Sequence, residues 1–166
     1  MPIPSAVLLA LALQTNPPAN PCEGAEFHQF DFWIGEWDVS TPDGKPAGSN
    51  RIEALHGGCV LNEHWEGAKG GQGSSLNAWD ARTGRWRQFW ADRSGGVLQL
   101  EGGWDGRSMV LSGSGPGADG MTLIQRITWT PNADGTVRQH WEQSSDGGKQ
   151  WTSAFDGRYV RRRAPR

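Results

Sequence analysis

The chain has 166 residues, with ten Trp against one Tyr and five Phe, 24 Gly, 10 Pro and only two Cys. Sixteen basic residues nearly balance 18 acidic ones, so the electrostatic footprint of a nucleic-acid binder is missing. The length suits one domain with an ordinary core, and Gly and Pro at this density argue against long helices.

The N-terminus opens on a compact apolar run, Ala6-Val7-Leu8-Leu9-Ala10-Leu11-Ala12-Leu13. It is too short to span a bilayer. The Pro-rich stretch from Gln14 to Pro21 follows it, as expected near a signal-peptide cleavage site. Its n-region lacks Lys and Arg, which leaves a disordered leader as the alternative. Residues 1–20 are therefore expected to be an export signal or leader, residues 22–162 one domain, and residues 163–166 a basic tail. The export reading makes the protein periplasmic or secreted, with no integral membrane segment after signal removal.

Cys22 precedes the fold, and Cys59 opens a predicted strand after Gly57-Gly58. A disulfide between them fits an oxidising compartment, the alternative being two unrelated thiols. Two Cys and four scattered His lack the cadence of a metal site. A segment at Phe27–Gly35 is expected to form a short helix capping one end.

From there the chain reads as short strands separated by turn signals every eight to twelve residues. The predicted strands are 37–41, 49–55, 59–66, 74–80, 86–91, 97–103, 108–114, 121–130, 136–144 and 151–161. Turns such as Pro42-Asp43-Gly44, Arg82-Thr83-Gly84 and Asp146-Gly147-Gly148 separate them, because Gly, Asn and Asp tolerate the positive φ of tight hairpins. Short connections make an antiparallel meander, and closure removes its unpaired edges. The expected fold is all-β: an up-and-down antiparallel barrel of about ten strands. A weak repeat relates Trp79 through Trp90 to Trp129 through Trp141, read as recurrent hairpin grammar and not as a duplicated site.

Side chains alternate along a strand, so parity sorts the faces. Leu61, Glu63 and Trp65 share one face, as do Ser75, Asn77 and Trp79. Trp86, Gln88, Trp90 and Asp92 form another such face, and Val137, Gln139, Trp141 and Gln143 a fourth. The opposite faces carry much of the charge, so the Trp faces are expected inside. Indoles interleaved with Glu63, Asn77, Gln88 and Gln139 make an interior more polar than a solid core. Its polar groups must bond to each other, to water or to a ligand. Aromatic walls with a few convergent polar groups are the usual form of a small-molecule site.

Two resemblances add to this. Ser144-Ser145-Asp146-Gly147-Gly148-Lys149-Gln150-Trp151 resembles the Asp-box hairpin of sialidases and other propellers, with Gln150 in place of Thr. There the motif braces a turn, and one copy in so short a chain does not imply a glycosidase. Phe30-Asp31-Phe32-Trp33-Ile34-Gly35-Glu36-Trp37-Asp38-Val39 resembles the signature of a bacterial family of exported calycin-like (lipocalin-like) barrels of unknown function. Gly57-Gly58-Cys59, Glu63-x-Trp65, Ser75-x-Asn77 and Trp86-x-Gln88-x-Trp90 are also similar to that family, over about residues 22–162. Gly35-x-Trp37 looks like the lipocalin Gly-x-Trp, whose Trp closes one end against a late Arg, here Arg161 or Arg162. The resemblance makes Gly35, Trp37, Asp146 and Trp151 structural. It implies ligand binding by fold analogy alone.

The function this supports is binding of a small apolar or aromatic molecule, with Glu63, Asn77, Gln88 and Gln139 orienting it and Trp65, Trp90 and Trp141 as walls. One alternative is an enzyme using Glu63 as acid or base, paired with His64 or His140, a pairing that parity weakens, and with no second inward carboxylate other than Asp92. Another is haem, which some related small barrels bind through one His. His64 and His140 are its strand candidates here, and both fall on outward faces, so no cofactor is predicted. A structural or interaction protein is the last alternative. Oligomeric state is not legible.

Overall fold

A computed structural model describes residues 20–117 and 120–162. The apolar run, residues 14–19 of the stretch after it and the tail at 163–166 lie outside the described residues. Ten antiparallel strands close into one barrel: β1 (Gly35–Ser40), β2 (Pro46–Leu55), β3 (Val60–Gly67), β4 (Gln72–Asp80), β5 (Arg85–Asp92), β6 (Val97–Trp104), β7 (Met109–Pro116), β8 (Thr122–Pro131), β9 (Val137–Ser144) and β10 (Thr152–Arg161). Each strand pairs with the next, and β1 pairs with β10, as in Val39 opposite Tyr159. No strand edge is left unpaired among the described residues.

All ten strands lie where expected, with bounds shifted by up to three residues, as where β2 begins at Pro46 and not at Ser49. Cys59 ends the turn before β3 instead of opening the strand, and β7 runs to Pro116. The capping segment is two short 3-10 turns, Ala25–His28 and Asp31–Trp33, in place of one helix. Its apolar residues Phe30 and Trp33 follow the shape of a barrel end rather than a helical stripe.

The interior is layered. At the base, Phe30 stacks on Trp33 at 4.9 Å and meets the edges of Trp86 and Trp129 at 5.6 and 5.1 Å. With Trp37, Leu61, Met109 and Val137 these side chains form a buried apolar plug. Mid-depth lies a polar belt containing Asn50, Glu63, Ser75, Asn77 and Gln88, all buried. Above it stand Trp65, Trp90, Trp141 and Phe155, each partly exposed. Strand parity produces this order: one inward step along β3 goes from Leu61 to Glu63 to Trp65, and along β5 from Trp86 to Gln88 to Trp90.

The base is closed by two devices. A disulfide joins Cys22 to Cys59, tying the capping segment to the β2–β3 turn, where Asn20 Nδ2 also donates to Gly57 O at 2.6 Å. At the other side Trp37 Nε1 donates to Trp33 O at 2.8 Å, and the Arg161 guanidinium lies 4.4 Å over the Trp37 ring. Arg161 Nη1 also donates to Ile34 O at 2.9 Å. Gly35 beside it has φ +138°, where a Cβ would collide with that guanidinium. Arg162 pairs with Asp38 at 2.8 Å. Of the two arginines it is thus Arg161 that covers Trp37.

The outer face carries cross-strand ion pairs, among them Arg87–Glu101 at 2.7 Å and Arg126–Glu142 at 3.0 Å. Such exposed pairs add little stability each but mark this face as the solvated one. Among the described residues no helix is long and apolar enough to cross a membrane.

Candidate functional site

Above the polar belt the barrel holds a cavity of about 190 Å³. Six of the seven residues singled out from parity line it: Glu63, Trp65, Gln88, Trp90, Gln139 and Trp141. Asn77 does not. It is fully buried one step behind, where its Oδ1 accepts from Gln88 Nε2 at 2.8 Å. Asn77 therefore positions Gln88 and does not itself face the cavity. Asp92 is not a second inward carboxylate either. Its Oδ1 turns back to accept from Ser94 N at 2.8 Å and Gly96 N at 3.1 Å. Hydrogen bonds, that of the Ser94 hydroxyl foremost, hold its carboxyl below the usual range.

The space exists because of a small residue. Trp90 lies across Gly73 of the adjoining strand, and a Cβ there would run into the indole at Cζ2 and Cη2. The ring is laid along the wall instead of filling the lumen.

The polar belt is one chain of hydrogen bonds centred on Glu63. From one side Gln88 Nε2 donates to Asn77, Asn77 Nδ2 to Ser75 Oγ at 2.8 Å, and Ser75 Oγ to Glu63 Oε2 at 2.6 Å. From the other side Asn50 Nδ2 donates to Glu63 Oε1 at 2.8 Å and to Tyr159 Oη at 3.3 Å. Tyr159 Oη in turn donates to Gln139 Oε1. Both ends of the chain are cavity-facing amides. Gln88 Oε1 and Gln139 Nε2 make no side-chain hydrogen bond among the described residues, so one acceptor and one donor are presented to the lumen. Burial raises the Glu63 carboxyl above its usual range, against the opposing effect of Ser75 and Asn50. Burial, then the nearby Glu63 charge, pushes the Tyr159 phenol well up.

Burying so many indoles calls for partners, and several have them. Trp141 Nε1 donates to Gln125 Oε1 at 2.6 Å and Trp86 Nε1 to Gln29 Oε1 at 3.2 Å. The Nε1 atoms of Trp33 and Trp129 have none among the described residues, being held between rings of the plug. Asp146 and Trp151 brace the β9–β10 hairpin. Asp146 Oδ1 accepts from Lys149 N and Gln150 N, each at 2.9 Å, and from Ser144 Oγ at 2.8 Å. Trp151 Nε1 donates to Gly148 O, and Arg126 covers its ring at 3.9 Å.

His64 and His140 lie on the outer face, bonded to Asn62 and Ser153. Neither lines the cavity. No group of three or more His, Cys, Asp or Glu could hold a metal among the described residues. Parity missed Tyr159, Asn50, Trp129 and Phe155. Tyr159 carried one signal, as the chain's sole tyrosine. The chain matches no protein-family profile and no curated protein sequence.

Proposed function

We propose that the protein binds a small molecule with an aromatic or apolar body inside its barrel, as a calycin-like binding protein of an oxidising compartment, periplasmic or secreted. The observation that carries this is the unfilled space between Trp65, Trp90 and Trp141, floored by two amides with free hydrogen-bonding positions. A self-satisfied core would have used those positions internally. The Cys22–Cys59 disulfide supports the compartment. The Gly35-x-Trp37 closure under Arg161 supports the calycin-like grouping. A haem reading has no histidine on the cavity wall to draw on, and a porphyrin far exceeds 190 Å³. An acid–base enzyme would have Glu63 without a second carboxylate beside it.

Titration of a small-molecule library by intrinsic Trp fluorescence tests the proposal. A ligand should shift emission and be lost in Gly73→Ala, which drives the Trp90 ring into the lumen while far-UV circular dichroism stays unchanged. A flat response across the library, or binding undiminished in Gly73→Ala, would overturn it.

A further inference from the structure

Among the described residues Glu63 is the sole acidic side chain on the cavity wall, and no basic side chain lines it. Its carboxyl is buried, bonded to the neutral donors Asn50 and Ser75, and no cation approaches it among the described residues. An ionised carboxylate accepts about four hydrogen bonds, so positions remain open. Around it stand Trp65, Trp90, Trp129, Trp141, Phe155 and Tyr159, whose ring faces carry negative potential. A carboxylate and an aromatic ring face favour the same kind of partner, a cation. A ligand carboxylate would set a second negative charge beside Glu63. An ammonium would meet its missing counter-ion and an aromatic cage together.

We infer that the preferred occupant is a protonated amine on a body of about one ring, its ammonium on Glu63 and its ring between the indoles. This rests on the proposal that the cavity binds a small molecule. Size agrees: a dry cavity of about 150 Å³ takes benzene, so about 190 Å³ admits one ring with a short arm.

The pairing has a proton signature. Burial holds the empty carboxyl towards its protonated form, and an ammonium stabilises the carboxylate. Binding below the raised midpoint therefore releases one proton from Glu63 to the buffer. Tyr159 of β10 is the other ionisable group facing it. Among the described residues β2 and β4 turn no charged side chain to it and meet it with the neutral donors Asn50 and Ser75, while Arg51 and His64 point outward.

The test uses the full chain with 2-phenylethylamine, the uncharged 2-phenylethanol and the anionic 3-phenylpropionate, by Trp fluorescence at neutral pH and, for the amine, by calorimetry at pH 4.5, below the raised Glu63 midpoint, in two buffers of different ionisation heat. The amine should bind at least about 20-fold tighter than the alcohol, as expected for a buried charge pair. The anion should not bind, and the heat should depend on the buffer with the sign of proton release. Glu63→Gln should cut amine affinity at least about 20-fold and so remove most of the preference for the amine over the alcohol. An alcohol that binds as tightly as the amine, or a buffer-independent heat, overturns this inference while leaving small-molecule binding standing. The buffer series needs only the wild-type chain, so it decides even where the variant fails to fold. Binding of none of the three, with no response to any neutral library member, overturns both.

Discussion

Tyr159 concentrates what the residue scale adds. Its hydroxyl donates to Gln139 and accepts from Asn50, so it joins a cavity-facing amide to the bond that holds Glu63. Tyr159→Phe would remove both bonds without changing ring packing against Trp37. The variant should lose about 1–3 kcal/mol, the cost of stranding a buried polar partner. Urea unfolding checks this, with a lower midpoint at unchanged m. An unchanged midpoint would mean that Gln139 and Asn50 find other partners. Parity exposed Glu63, Gln88 and Gln139 because their strands alternate cleanly between indole or amide and charge. It missed Tyr159 because the face of β10 that carries it, with Phe155 and Gly157, holds no indole or amide to mark it as inward. It missed Asn50 because the face of β2 that carries it, with Gly48, Ile52 and Ala54, holds no indole to mark it as inward.

At the scale of elements, the capping segment and the β9–β10 hairpin are held by different means. The cap is pinned at Cys22 by a bridge spanning 37 residues, yet Phe30 and Trp33 are themselves fully buried. Replacing both cysteines with serine should therefore lower stability by about 2–4 kcal/mol and leave the cap in place. Chemical denaturation and near-UV circular dichroism of the base tryptophans read the two effects separately. Loss of the Trp signal would show that the plug depends on the disulfide. The hairpin depends on one carboxylate. Asp146 answers two turn amides and a hydroxyl, and these bonds hold its own carboxyl below the usual range. Asp146→Ala should raise hydrogen exchange at Lys149 and Gln150 and spare the β8–β9 ladder. The strand boundaries were legible because Gly, Asn and Asp mark the turns. The two 3-10 turns were not, since a plug is defined by the opening it fills.

Across the whole molecule, closure was legible and the cavity was not. Ten short strands with short turns leave few outcomes but a closed sheet. Parity says which face is inside, but not whether side chains from opposite walls meet. Here they stop short because Trp90 lies over Gly73, a relation between neighbouring strands that one strand's pattern does not carry. The same molecule-wide view sets the pH profile. Turn aspartates, among them Asp80, Asp105, Asp134 and Asp146, have carboxyls held low by hydrogen bonds. Their stabilisation is present above the unfolded value of 3.8 and is lost as pH falls through their lower folded values. Glu63 works the other way. Its folded value is raised above 4.5, so its contribution is complete below 4.5 and is lost as pH rises through the folded midpoint. Glu63→Gln removes that second slope alone. In urea titrations from about pH 3 to about pH 8, the variant should be less stable than the wild type at the acid end, where the single carbonyl of an amide cannot accept from both Asn50 and Ser75 as the two carboxyl oxygens do. It should then gain on the wild type as pH rises past 4.5, while the acid limb set by the turn aspartates stays where it was. A constant difference between the two proteins across that range would mean that Glu63 titrates as a solvated carboxyl, and would remove the buried acid from the centre of the site.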